Sequence, residues 1–127
     1  MEKPFDIRER AFQFACAAVS AFPSERHLHG PTWRVWSQLV SAATSVGAHL
    51  EEAEAASSRA HFVTLNRGAL RELRETRYWI RLVAATRLKG HDAAAPLEQE
   101  SSELIAIVTT IVKRASEKLL KPKRTCP

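Results

Sequence analysis

With 127 residues the chain has room for one hydrophobic core and not for two. Hydrophobic residues make up 45% of it against only four glycines and six prolines, and the alternation of aromatic and β-branched residues that marks strands is missing, which points to an all-helical class. A net charge of +5 and a pI of about 9.7 permit a polyanionic partner without requiring one.

The two cysteines, Cys16 in an apolar run and Cys126 beside the C-terminus, have neither metal-ligand spacing nor the density of a secreted scaffold. A reducing, cytoplasmic setting is therefore expected. The run from Ala11 to Phe22, ending in Val19-Ser20-Ala21, has the outline of a leader, but Glu2, Asp6 and Glu9 spoil its basic head and it reads as an ordinary helix. No segment approaches the ~20 apolar residues of a membrane span, so no membrane partner is expected.

Asp6-Ile7-Arg8-Glu9 is an N-cap followed by a reciprocal Glu, which predicts a first helix starting near Phe5. Ile7, Ala11, Phe14, Ala15, Ala18 and Phe22 form its inner face, and Pro23 ends it. Pro23 to Pro31 is a connector. His27-x-His29 within it lacks a third ligand, so it reads as solvated loop histidines and no metal or other cofactor is expected.

Thr32 is the expected cap of a second helix running to about Glu54, with Val35, Leu39, Ala42, Val46, Leu50 and Ala53 as its core stripe. Beside that stripe lie Trp36, Val40, Ala43 and Gly47. The small pair Ala43/Gly47 predicts close approach by another helix, which makes Trp36, Ala43 and Gly47 candidates for a subunit interface. His49 lies within a turn of Ser45 and Glu52, the composition of a nucleophilic triad. All three sit on one helix whose N–H groups are already bonded, so nothing converges as an oxyanion site and no catalytic residue is assigned.

Ser57 or Ser58 caps a third helix expected to run to about Leu88 and to end through Lys89-Gly90. Phe62, Leu65, Ala69, Leu73, Thr76, Ile80 and Val83 recur at i, i+3/i+4, i+7 and form its core stripe. Arg67, Arg71, Arg74 and Arg81, with Arg77 at the edge, occupy roughly the opposite face. Glu72, Glu75, Trp79 and Leu82 form a third, mixed stripe beside the core.

Pro96 suits the first turn of a fourth helix, with Glu98, Glu100 and Glu103 early and Lys113, Arg114 and Lys118 late, as the helix dipole favours. Leu97, Leu104, Val108, Ile111 and Ala115 form its core stripe, and Ile105 and Val112 widen the apolar surface towards burial on a second side. Residues 121–127 read as a basic, Pro-broken, disordered tail carrying Lys121, Lys123 and Arg124. Four amphipathic segments with short connectors predict an antiparallel up-and-down four-helix bundle, a single domain over residues 1–120.

The wording of helices two and three is more specific than a bundle requires. Ala43-Thr44-Ser45-Val46-Gly47-Ala48-His49-Leu50-Glu51-Glu52-Ala53, Ser58-Arg59-Ala60-His61-Phe62 and, above all, Arg71-Glu72-Leu73-Arg74-Glu75-Thr76 with Tyr78-Trp79-Ile80 resemble the bacterial four-helix-bundle family of 23S ribosomal RNA intervening-sequence proteins. The resemblance spans roughly Phe5 to Leu119. It implies a homo-oligomer, commonly a homopentameric ring, and no catalytic activity. It also brings in a relative similar in fold, the accessory protein of diversity-generating retroelements, a basic pentamer that binds nucleic acid and a reverse transcriptase. Departures fall at His49, Ser41 and His61, where Asn, Arg and Asp are common.

The expectation is thus a non-enzymatic homo-oligomer binding RNA or another nucleic acid through basic surfaces. Arg67, Arg71, Arg74, Arg77, Arg81, Lys121, Lys123 and Arg124 would be its phosphate contacts, and Glu72, Glu75, Trp79 and Leu82 its subunit seam, joined by Trp36, Ala43 and Gly47. The alternative is a protein-binding scaffold or adaptor, for instance for a reverse transcriptase. Two plainer outcomes compete: Arg71 can be taken up by Glu75 one turn on, and Trp79 can lie against its own bundle with its indole N–H on a nearby acceptor.

Overall fold

The computed structural model describes residues 6–24 and 28–120. Four helices account for most of them: α1 (Ile7–Ala21), α2 (Gly30–Glu54), α3 (Arg59–Thr86) and α4 (Ala94–Leu120), with a single 3-10 turn, His91–Ala93, leading into α4. No strand occurs among the described residues.

Each helix packs on the next in the chain, and α4 returns against α1. Directions follow from which residues meet. Arg8 is 3.8 Å from Glu51, whereas Phe22 is edge-on to Trp36, so numbering falls along α2 as it rises along α1. Between α2 and α3, His49 lies against Gly68, while Trp36 Nε1 donates to the Lys89 carbonyl beyond the end of α3 at 2.8 Å. Arg67 is 3.5 Å from Ser116 Oγ, and Arg81 shares a recess with Ile105. Arg10 binds Glu100 and Glu103, and Ala21 shares a cleft with Ala93. All four neighbouring pairs are antiparallel, the up-and-down bundle.

Phe14, Trp36, Leu39, Val46, Leu73, Ile80, Leu104 and Val108 fill the core. At 1.5 Å per residue the 15-residue α1 is about 22 Å long and the 28-residue α3 about 42 Å, so α1 covers little more than half of the bundle. The core of α3 is shifted from the expected stripe at its start. Phe62 and Leu65, expected inside, are half-buried; Val63, Asn66 and Leu70 are buried instead. Phe62 faces the space below the start of α1, which it shares with Asp6, Ile7 and Arg8.

The caps follow the sequence in part. Asp6 accepts from Arg8 N–H at 2.8 Å and begins α1, and Ser58 Oγ accepts from His61 N–H at 3.1 Å to begin α3. Helix α2 begins two residues before the expected cap. Its N-cap is His29, whose side chain makes no capping hydrogen bond to the helix, and Gly30 and Pro31 open the first turn ahead of Thr32.

Helix α3 stops before Gly90. Arg87 takes the left-handed conformation at φ 53°, its N–H bonds Ala84 O at 3.3 Å, and the Leu88 N–H bonds Val83 O at 3.2 Å. This pair of bonds is a Schellman motif, stabilised by the half-buried Leu88 packing on the core. Gly90, at φ 88°, serves the turn that follows. A Cβ there would lie 2.9 Å from Trp36 Cζ2 and 3.2 Å from Pro23 Cγ, so both backbone and packing require glycine.

The expected close approach at Ala43/Gly47 does not occur at Gly47, where a Cβ would meet no atom within 4 Å. It occurs at Gly68, where a Cβ would lie 2.5 Å from His49 Cδ2. The His49 ring is held there by Nδ1, 2.8 Å from Ser45 O, while Ser45 Oγ turns away to Ser41 O at 2.9 Å. The triad-like trio therefore forms no nucleophile–base pair; His49 packs two helices together.

Candidate nucleic-acid interface

Helix α3 has two flanks beside its core stripe, and each can be traced by helical spacing from a residue that touches a neighbour. From Gly68, against α2, the steps i+4, i+7, i+11 and i+14 lead to Glu72, Glu75, Trp79 and Leu82. From Arg67, against Ser116 of α4, the steps i+4, i+7, i+11 and i+14 lead to Arg71, Arg74, Tyr78 and Arg81. One flank borders α2 and the other borders α4.

The α2-bordering flank is largely satisfied within the protomer. Trp79 is half-buried against the core, its Nε1 donates to Glu75 Oε1 at 3.3 Å, and its ring stands edge-on to Tyr78 at 5.2 Å between centroids. Glu72 and Leu82 are half-buried and Glu75 is exposed. The other three residues assigned to a subunit interface separate. Trp36 and Ala43 are completely buried by their own helices, which leaves them no surface for a second copy. Gly47 is half-exposed beside open space.

The α4-bordering flank is the reverse. Arg67, Arg71, Arg74, Arg77 and Arg81 are all exposed. Among the described residues no carboxylate pairs with any of them, and Arg71 does not reach Glu75, which instead holds the indole of Trp79. Arg74, Arg77 and Arg81 line a recess of about 210 Å³ with Tyr78 and with Ile105 of α4. Guanidiniums three and four positions apart repel one another by about 0.2–0.5 kcal/mol per pair. Five of them without a counter-charge form a persistent positive strip, suited to bidentate contact with phosphate oxygens.

Contrast Arg10, which bridges α1 and α4. Its Nε and Nη2 reach the two Glu100 oxygens at 3.0 and 2.7 Å, and Nη2 also reaches Glu103 at 2.9 Å. Those hydrogen bonds hold its guanidinium pKa above the usual value despite partial burial. Asp6, capping α1, has its carboxyl held below the ordinary range chiefly by the Arg8 backbone N–H.

Sequence reasoning gave Tyr78 and Ile105 no part in this surface. The signal for Tyr78 was its i+4 spacing from Arg74; that for Ile105 needed the α3/α4 register, which spacing within one helix does not supply. Lys121, Lys123 and Arg124, and His27 of the His-x-His pair, lie outside the described residues. Among the described residues no three His, Cys, Asp or Glu side chains come together to hold a metal ion, and no helix is long and apolar enough to cross a membrane.

The family described as 23S rRNA-intervening sequence protein matches the sequence over residues 3–110. Among solved structures, a protein of unknown function from the S23 ribosomal protein family of Bacteroides thetaiotaomicron superposes with a TM-score of 0.74 at 26% identity, covering 85% of this chain and 99% of that one. No curated protein matches the sequence.

Proposed function

The chain belongs to the family of 23S rRNA-intervening sequence proteins, and from that premise we propose that it is a non-enzymatic, homo-oligomeric bundle of the cytoplasm that binds nucleic acid along the α4-bordering flank of α3. The observation that carries this reading is the strip Arg67, Arg71, Arg74, Arg77 and Arg81, exposed and without a carboxylate partner among the described residues. Phosphate contacts of this kind set affinity rather than sequence choice.

Assembly draws on different surfaces. Arg8, Phe12, Ala15, Val19 and Phe22 share one stripe of α1 whose two ends touch α2, and within it Phe12 and Val19 are 60% and 51% exposed. Trp33 of α2, 52% exposed, stands edge-on to Phe22 and extends that patch. A ring needs two different patches on each protomer. The Phe12/Val19/Trp33 patch and the Glu72/Glu75/Trp79/Leu82 flank are two such different patches. The count of five follows from the family resemblance.

Light scattering across a salt gradient, with and without a structured RNA, tests both halves. The full chain is expected at several times its protomer mass, and Trp33→Glu or Trp79→Glu is expected to lower it. RNA affinity should fall steeply with salt, at a log–log slope near −0.9 per phosphate contact for a duplex, and R74Q/R77Q/R81Q should make that slope shallower by about 2–3. An affinity unchanged between low and physiological salt would remove the phosphate reading, and a monomer at every salt would remove the ring.

A further inference from the structure

We propose that the recess between α3 and α4 is a single-strand site, in which an unpaired base stacks on Tyr78 against Ile105 while Arg74, Arg77 and Arg81 hold the adjoining phosphates. This rests on the α4-bordering flank being the nucleic-acid surface, and it adds which form of nucleic acid the flank takes.

Tyr78 is the reason. Phosphate binding alone needs cations and hydroxyls, yet here an aromatic ring stands 56% exposed among three arginines, and its hydroxyl has no hydrogen-bond partner among the described residues. The ring is not adrift. Trp79, itself packed on the core, meets it edge to face with 71° between the planes, a contact that reduces the rotamer freedom lost on stacking while the ring stays more than half exposed. Ile105 supplies an apolar wall that a phosphate cannot use and a base can.

A duplex has its bases stacked internally and would reach the arginines while leaving Tyr78 and Ile105 idle. An unpaired strand engages both sets, the combination of basic track and aromatic platform that characterises single-strand binding. Helix α4 continues the track with neutral groups, since Ser102, Thr109 and Ser116 share the Ile105 stripe at helical spacing and Arg67 already reaches Ser116. Glu98, seven residues before Ile105 on that stripe, is its acidic end. From Arg67 to Arg81 the helix rises about 21 Å, the length of about six stacked nucleotides at ~3.4 Å each.

The test is fluorescence anisotropy on the full chain with four labelled probes: a 12-nucleotide RNA without self-complementarity, the DNA of the same sequence, and the two corresponding blunt duplexes. Single strands should bind more tightly than their duplexes. Tyr78→Ala should weaken single-strand binding about five- to hundredfold and leave duplex binding unchanged, while Tyr78→Phe should retain single-strand affinity. The RNA and DNA arms identify which strand the site prefers, and either preference supports the inference.

Duplexes bound as tightly as single strands, or a Tyr78→Ala variant that binds single strands like the parent, would overturn it. In either case R74Q/R77Q/R81Q is the control: if that variant loses affinity, the phosphate reading stands without base stacking. If it binds like the parent, the proposed nucleic-acid surface itself is wrong.

Discussion

The two flanks of α3 have comparable sequence content, charged residues interleaved with one large aromatic, and opposite physical states. Towards α2, Glu75 and Trp79 satisfy each other, and His49 closes over Gly68. Towards α4, five arginines have no carboxylate partner among the described residues, Arg67 reaching only the Ser116 hydroxyl, and the Tyr78 hydroxyl has no hydrogen-bond partner there. The protomer uses the first flank to hold itself together. The second adds like-charge repulsion and gives the fold no ion pair among the described residues, which is why nucleic-acid binding is assigned there.

Several substitutions can break that comparison. The largest effect is expected outside both flanks, at the paired arginine that serves as reference. Arg10→Met leaves Glu100 and Glu103 facing a lost cation and should destabilise the bundle by about 1.5–3 kcal/mol in urea unfolding, against no more than about 0.5 kcal/mol for R74Q/R77Q/R81Q. Equal losses from the two would mean that the strip is structural after all.

Next is Gly68→Ala, which must displace the His49 ring from Ser45 O and should cost about 1–3 kcal/mol. Combined with His49→Ala, the loss should be smaller than the sum of the two single changes, because the clash disappears with the ring. Gly47→Ala is the mirror case. With no atom near the new methyl in the protomer, it should stabilise by about 0.5–1 kcal/mol through helix propensity. A fall in assembled mass would instead show a partner helix seated in that notch.

The smallest effect concerns pH. Asp6 has a depressed carboxyl pKa in the folded state, so its cap contributes above the unfolded value near ~3.9 and is lost as pH falls through the folded value. Helicity followed by circular dichroism from pH 5 downwards should show an acid-induced loss at α1 that Asp6→Asn reduces.

The all-helical class, the Asp6 and Ser58 caps, and most of the core stripes were legible along the chain, because hydrophobic period and capping chemistry act over a few residues. The errors came where distant segments decide. Gly47 and Gly68 look alike in sequence, and only the α2/α3 register shows that His49 lies over the second. Trp36 and Ala43 sit beside the expected core stripe of α2 and yet are fully enclosed, because α1 and α3 wrap that helix more widely than one stripe. Phe62 is only half-buried, in a space that it shares with Asp6, Ile7 and Arg8 at the start of α1, a neighbourhood that spacing within α3 does not reveal.

The sequence by itself determined four helices, their inward faces and the presence of an arginine row, all properties of spacing within one helix. What stood across the groove from that row depended on groups far away in the chain. Glu75 turning to Trp79 rather than Arg71 is settled one turn apart within α3, whereas tertiary structure alone decided that Ile105 of α4 meets Arg74, Arg77, Tyr78 and Arg81 in one recess. The physical reason is that charge and stacking act across the α3/α4 groove, and its register is set by core packing along the whole length of both helices.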